Sequence, residues 1–283
     1  MMPSRRTLLI LTIFACTSSL AAESPWKITT PPAEWNLSPF YAKCIILGKF
    51  PVIASEQVDD YALYEAAYIV TSMTKERPGL LDALANERVR LVVMSYAERT
   101  TDVPEHSDLT PQEYWDRRAR GLGATKARPA VSCAEENLLG FPGDPYHTEN
   151  ILVHEFAHAL DEMSLRMIEA EHFTQLKSVY EAAKSEGLWK DTYAMTNPQE
   201  YWAEGVQSYF GTNRENDKEH NHVNTRAELK EYDPRLFKLI DTAFRGCDWQ
   251  YVKPPDRTAT DRDHLDGYNH ENAPTFRWQA EEK

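Results

Sequence analysis

The chain has 283 residues, 42% of them apolar and 27% charged, a globular balance that excludes a disordered chain and a multi-span membrane protein. Its 11 Gly and 17 Pro follow no period and no repeat of 20–50 residues is present, which excludes collagen-like and solenoid architectures. Acidic residues number 44 against 31 basic, a formal charge of −13; this is the wrong sign for a nucleic-acid binder and would mildly favour cationic substrates.

At the N-terminus, Arg5 and Arg6 precede an apolar run over 8–15, followed by the small residues Thr17, Ser18, Ser19, Ala21 and Ala22. This is the layout of a secretory signal peptide, with cleavage expected after Ala21. The run is too short for a transmembrane helix, so a secreted or periplasmic protein without a membrane span is expected. The stretch Ile13-Phe14-Ala15-Cys16 offers a second reading, a lipoprotein signal with Cys16 lipidated. Cys44, Cys133 and Cys247 follow, and three thiols cannot all pair within one chain. Cys44 lies in the apolar run Cys44-Ile45-Ile46-Leu47 and reads as a buried thiol, which leaves Cys133–Cys247 as the candidate disulfide. No CxxC spacing points to a cysteine zinc site.

Residues 23–40, rich in Pro and Trp, read as an extended lead-in. Tyr61, Tyr64, Ala67 and Tyr68 recur at helical spacing and predict a long helix over 58–75, ended by Arg77-Pro78-Gly79. Val89, Leu91, Val92, Val93 and Met94 predict a buried strand over 88–95. Thr110-Pro111-Gln112-Glu113 has the form of a capping box opening a short helix at Pro111. An edge strand is expected within 130–139, and from residue 148 the pattern is helical: 149–163, 171–187, 198–211 and 234–245. The domain expected over 22–249 is followed by a polar tail over 250–283, surface-hugging or loose. With strands in the first half and helices in the second, the fold class is α+β.

The chemistry sits in His154-Glu155-Phe156-Ala157-His158, an HExxH motif. Positions i and i+4 of a helix share a face, so both imidazoles can reach one metal ion, and neutral imidazole is a natural zinc ligand. Glu155, one residue on, is placed to take a proton from a water at the metal and return it to a leaving amine. Ile151, Leu152, Phe156, Ala159, Leu160 and Met163 give the segment the apolar faces of a buried helix. A catalytic zinc needs a third protein ligand. The metzincin continuation HExxHxxGxxH fails, because Asp161 replaces its Gly and Ser164 its last His. Downstream, Glu200 and Glu204 lie at i and i+4 on a segment opened by Asn197-Pro198. They are either a ligand plus an acceptor for a histidine N–H, or a solvated acidic face. Asp161, three residues after His158, shares its side of the helix and could orient a ligand. His147 and His172 read as surface or capping histidines. The segment Glu135-Glu136-Asn137-Leu138-Leu139 is either an edge strand that binds a peptide backbone by strand addition or a plain solvated loop.

The run from Thr192 to Glu204, TYAMTNPQEYWAE, resembles the matching segment of the anthrax lethal factor catalytic-domain family, in which HEFxH is followed some forty residues on by a tyrosine-to-glutamate element. It is similar in outline to the Mlc titration factor peptidases, and the likeness covers roughly residues 148–212. Here Glu200 lies 42 residues after His158, with Tyr193 seven before it, and Ala157 stands where lethal factor has Gly. The resemblance implies a gluzincin-type, zincin-like metallopeptidase: a small mixed sheet in the first half, the HExxH helix at the cleft floor and a helical second half. It implies His154, His158 and Glu200 as ligands of one Zn²⁺, Glu155 as general base and acid, Tyr193 as oxyanion donor and Glu204 as a supporting group. The expectation is therefore a monomeric, exported zinc metalloendopeptidase acting on protein or peptide substrates, with no nucleic-acid partner. The alternative is a catalytically inactive zinc-binding recognition module derived from a peptidase.

Overall fold

The computed structural model describes residues 24–258 and 261–279. The signal-peptide assignment over 1–21 and Cys16 lie outside the described residues. The sheet is mixed, with strands β1 (Lys43–Leu47), β2 (Phe50–Ala54), β3 (Arg90–Met94), β4 (Gly121–Leu122) and β5 (Ala130–Ala134) in the order β1-β2-β3-β5-β4. The β1–β2 hairpin and the β4–β5 pair are antiparallel, while β2–β3 and β3–β5 are parallel. The helices are α1 (Asp60–Thr74), α2 (Gly79–Asn86), α3 (Gln112–Asp116), α4 (Glu135–Leu139), α5 (Ile151–Leu160), α6 (Arg166–Ile168), α7 (His172–Glu186), α8 (Pro198–Phe210), α9 (Arg226–Tyr232) and α10 (Pro234–Ala243). Strands therefore precede helices in an α+β arrangement. Among the described residues no helix is long and apolar enough to cross a membrane.

The period-2 pleat divides the sheet's side chains between two clusters. Ile45, Val52, Leu91, Val93, Val131 and Cys133 join the large core shared with α1, α5 and α8. Cys44, Ile53, Val92, Met94, Ala130 and Ala134 face the other way and are covered by Tyr41, Val103, Trp35, Leu37 and Phe40. The lead-in is thus a cover for the second face of the sheet, and Thr29 exchanges backbone hydrogen bonds with Cys44.

Several elements differ from the sequence expectation. Residues 130–139 are not an edge strand: β5 is interior, and at Glu135 the chain turns into α4. The Glu135 carboxylate accepts from the backbone N–H groups of Asp59 and Tyr96 and from the Ser95 hydroxyl, which holds that turn. The edge falls to the two-residue β4. Thr110 does not cap; α3 starts at Gln112 behind an extended Pro111. The helix over 149–163 is α-helical to Leu160 and passes into a π-turn at Asp161–Leu165. The strands β1, β2 and β4 and the helices α2, α6 and α9 lie outside the sequence expectation, although Thr225 and Glu228 form a reciprocal capping box at the start of α9.

The candidate disulfide is not formed. All three described cysteines are buried free thiols. Cys133 faces the core from the middle of β5, whereas the Cys247 thiol donates to the Ser72 carbonyl near the end of α1, 3.3 Å away. Both residues belong to the large core, Cys133 in the sheet and Cys247 beside the end of α1, and they are not bonded to each other.

The C-terminal tail hugs the body of the molecule. Arg257 pairs with Glu65 of α1 through two hydrogen bonds of 2.5 and 2.7 Å, and His264 Nε2 lies 2.8 Å from the same carboxylate. Glu65 is fully buried, so removing it leaves the guanidinium uncompensated inside the protein. Glu65→Ala is expected to lower unfolding free energy by about 3–5 kcal/mol in urea titrations. Cutting the exposed Arg235–Glu186 pair by Arg235→Ala is expected to cost less than about 1 kcal/mol in the same assay.

Candidate metal centre

Two helices distant in sequence build the site. The first, α5, starts at Asn150, whose side chain accepts from the Val153 N–H at 3.1 Å and satisfies a first-turn donor. Its apolar residues anchor it on nearly every side, and the Trp202 indole N–H of α8 donates to the Ala157 carbonyl at 2.9 Å, inside the HExxH turn. The second, α8, opens as its sequence suggests: Asn197 accepts from the Glu200 N–H at 2.9 Å, and Pro198 occupies the first turn.

Where these helices meet, three ligand-type atoms converge. His154 Nε2 and His158 Nε2 lie 3.1 Å apart, and each is 3.2 Å from Glu200 Oε2. The three residues form a group that could hold a metal ion. A tetrahedral zinc with arms of about 2.0–2.1 Å spaces its ligand atoms about 3.3–3.4 Å apart, close to the triangle observed. Two imidazole nitrogens and a carboxylate oxygen are also a donor set that zinc accepts.

Hydrogen bonding around His154 tests the fit from another direction. The Gln207 side-chain N–H₂ faces Glu149 Oε2 at 3.2 Å and the Asn150 carbonyl at 3.3 Å, so its oxygen must face the other way, toward His154 Nδ1 at 2.8 Å. Nδ1 is then the protonated nitrogen, and Nε2 turns a lone pair toward His158 and Glu200. Lone pairs held this closely require protons or a cation between them.

The electrostatics agree. Burial works to lower the His154 imidazole, but Glu200, Glu155 and Glu204 around it raise it to about 10. Burial opposes ionisation of Glu200, yet the two histidines hold it below the usual carboxylate range. Burial also raises Glu155, opposed by His154 and His158. The phenol of Tyr193 is raised by burial and by the nearby carboxylates of Glu200 and Glu155. Its ring centroid lies 6.4 Å from that of His154, and its backbone N–H is tied to the Glu219 carbonyl at 2.7 Å.

Glu204, one turn beyond Glu200, lies 3.6 Å from His154 Nδ1 and 3.3 Å from His220 Nε2, and accepts from Asn213 at 3.0 Å. It is a buried link between the cluster and the loop after α8. Asp161 is not part of the centre, contrary to expectation. The π-turn carries its carboxylate to Arg166, 3.1 Å away, and to His172 at 3.2 Å. His172 is accordingly buried, edge-on to Trp202, and is not a surface residue. His147 is exposed, as expected of a surface histidine, with Nδ1 3.2 Å from the Asp144 carbonyl.

The centre lies in a cleft of about 970 Å³ whose lining includes Glu155, Tyr193 and β4. β4 passes so close to α5 that a Cβ on Gly121 would meet Ile151 Cγ2 at 2.4 Å, and one on Gly123 would meet the His158 Cβ at 2.8 Å. Any side chain at either position would push the strand away from the histidine helix.

Sequence reasoning missed Gln207 and the two glycines. Glu200, Glu204 and Gln207 recur at i, i+4 and i+7 on one face of α8, a periodicity that could have singled out Gln207. Nothing local distinguishes Gly121 or Gly123.

No family model matches this chain, and no curated protein matches it. Among solved structures it is similar to the Pro-Pro endopeptidase PPEP-2 from Paenibacillus alvei, with a TM-score of 0.37 and 19% identity, over 68% of this chain and 95% of that one. So distant a likeness carries no argument about activity, which has to come from the residues of the cleft.

Gln207→Leu removes the acceptor that orients His154 while keeping much of the volume. Zinc affinity, measured by competition with a chromogenic chelator, is expected to fall about 10–100-fold, and Gln207→Glu, which restores an acceptor, should recover most of it. Equal affinities for the wild type and Gln207→Leu would show that Nδ1 needs no partner.

Proposed function

We propose that this chain is an exported, zinc-dependent peptide hydrolase of the lethal-factor-like kind, acting as a monomer. In this reading His154, His158 and Glu200 hold one zinc ion, and residues 1–21 are its export signal. The observation that supports it best is the triangle of ligand atoms at 3.1–3.2 Å, standing in one cleft with Glu155 and Tyr193.

Zinc, when bound, supplies a Lewis acid that polarises a carbonyl oxygen and makes water more acidic. The remaining chemistry falls to the chain itself. Glu155 takes a proton from the attacking water onto its carboxylate and returns it to the departing amine nitrogen. Tyr193 donates its hydroxyl hydrogen to the substrate oxygen on which negative charge develops, an interaction that strengthens toward the transition state. Gln207 holds the orientation of His154, and Glu204 adds its negative charge beside that imidazole and His220. A cleft of about 970 Å³ lies at the upper end of small-molecule sites and has room for several residues of extended peptide.

Metal content and hydrolysis separate this reading from its alternative. Wild type should carry one zinc per chain and cleave members of a mixed peptide library, with activity lost to a chelator and restored by zinc. Glu155→Gln should retain the zinc and lose about 10²–10⁴-fold in kcat. Stoichiometric zinc without hydrolysis of any peptide would instead favour the recognition module.

Tyr193→Phe deletes a single hydroxyl. It should lower kcat by about 10²–10³-fold with KM and zinc content nearly unchanged. A kcat within about twofold of wild type would remove Tyr193 from the mechanism.

A further inference from the structure

Six large apolar side chains stand out as exposed among the described residues: Ile46, Tyr114, Met167, Ile168, Val252 and Trp278. Of these, only Trp278 lines the cleft of the candidate metal centre. It arrives there from the far end of the chain, on a segment pinned on either side of it. Before it, the Phe276 N–H donates to the Pro142 carbonyl at 2.8 Å, and the Phe276 ring is buried with the Arg120 guanidinium carbon 5.0 Å from its centroid. The approach is tight, since a Cβ on Gly143 would sit 2.4 Å from the Phe276 carbonyl oxygen. After it, Gln279 accepts from Arg99 Nε at 2.7 Å and donates to the Ala97 carbonyl. The Phe276 and Trp278 rings meet edge to face, 5.2 Å apart. The anchors bury Phe276 and leave the indole of Trp278 at the mouth of the cleft, 37% exposed.

Arg120 also fixes where along the cleft the segment lies. It leads directly into β4, whose first residue, Gly121, lies against Ile151 and Glu155. Trp115, Arg118 and Tyr146 also line the cleft, Trp115 and Arg118 on the stretch of chain just before Arg120. The Arg118 guanidinium lies 5.9 Å from the Trp115 ring centroid, and the Tyr146 hydroxyl donates to the Arg118 carbonyl.

We infer that Trp278 is a specificity-determining residue: with Trp115 and Tyr146 it forms a subsite, at the Gly121 end of the cleft, for one large apolar or aromatic side chain of the peptide substrate. The inference rests on the peptide-hydrolase reading. The chemistry follows from the wall. Exposed indole surface is stabilised when apolar surface covers it, and aromatic rings add edge-to-face contacts. A lysine or arginine side chain would also find an aromatic face there, and the binding experiment distinguishes it from an apolar one.

Binding tests this independently of turnover. Zinc-loaded Glu155→Gln protein is immobilised and exposed to a randomised peptide library, and the retained sequences are compared with those retained by the same protein carrying Trp278→Ala or Trp278→Phe. Enrichment of Phe, Tyr, Trp or Leu at one position is expected with Trp278. It should drop about tenfold in the Trp278→Ala variant and recover in the Trp278→Phe variant, while zinc content stays constant. In cleavage assays Trp278→Ala alone should raise KM for the enriched peptides about tenfold with kcat little changed. Identical profiles with and without the Trp278→Ala substitution, enrichment of Lys or Arg, or retention of no peptide would each overturn the subsite. Selective retention by a wild-type protein that hydrolyses nothing would leave the subsite standing and overturn the hydrolase reading instead.

Discussion

The contact between α5 and α8 is the constraint on which the rest of the molecule depends. The histidines come from one helix and the glutamate from the other, and the three ligand atoms fall within 3.2 Å only while those helices stay in register. Three bonds of different kinds lock that register: the Trp202 indole on the Ala157 carbonyl, the Gln207 oxygen on His154, and the Gln207 amide on the Asn150 carbonyl at the cap of α5. The sheet contributes from the opposite side, where the bare backbone of Gly121 and Gly123 lets β4 lie directly on the helix.

Much of this was legible in the sequence because it is written in short-range spacing. His154 and His158 at i and i+4, and Asn197-Pro198 opening a helix that carries Glu200, each act through one turn of backbone. What was not legible depends on partners distant along the chain. Asp161 satisfies the spacing rule for facing the metal, yet a π-turn and the competing pull of Arg166 and His172 take it elsewhere. Residues 135–139 have strand-like neighbours, but the Glu135 carboxylate captures donors from Asp59 and Tyr96 and turns the chain helical. Composition alone made the tail over 250–283 look polar and weakly anchored. Its anchors are charged: Arg257 and His264 reach Glu65, a partner 192 and 199 residues away.

Buried charge is therefore used in two ways. At Glu65 opposite charges meet and close the structure, and the Arg120–Glu136 pair, at 2.5 Å and almost fully buried, does the same beneath Phe276. At the centre, Glu155, Glu200 and Glu204 stand around two imidazoles, and their charges raise His154 against the effect of its burial. The first arrangement favours a rigid frame, and the second leaves a place for a cation at the point the frame surrounds.

The free cysteines have a consequence of their own. Burial pushes the Cys44 thiol up to about 11 and raises Cys133 and Cys247 as well, so none offers a thiolate to solvent near neutral pH. An alkylating reagent can modify them only when the chain opens. Cys44 and Cys133 belong to opposite faces of the sheet, and Cys247 to the junction between α1 and the end of α10. Three native clocks are thus distributed through the fold, each keeping time for the opening of its own neighbourhood without any label having to be engineered in.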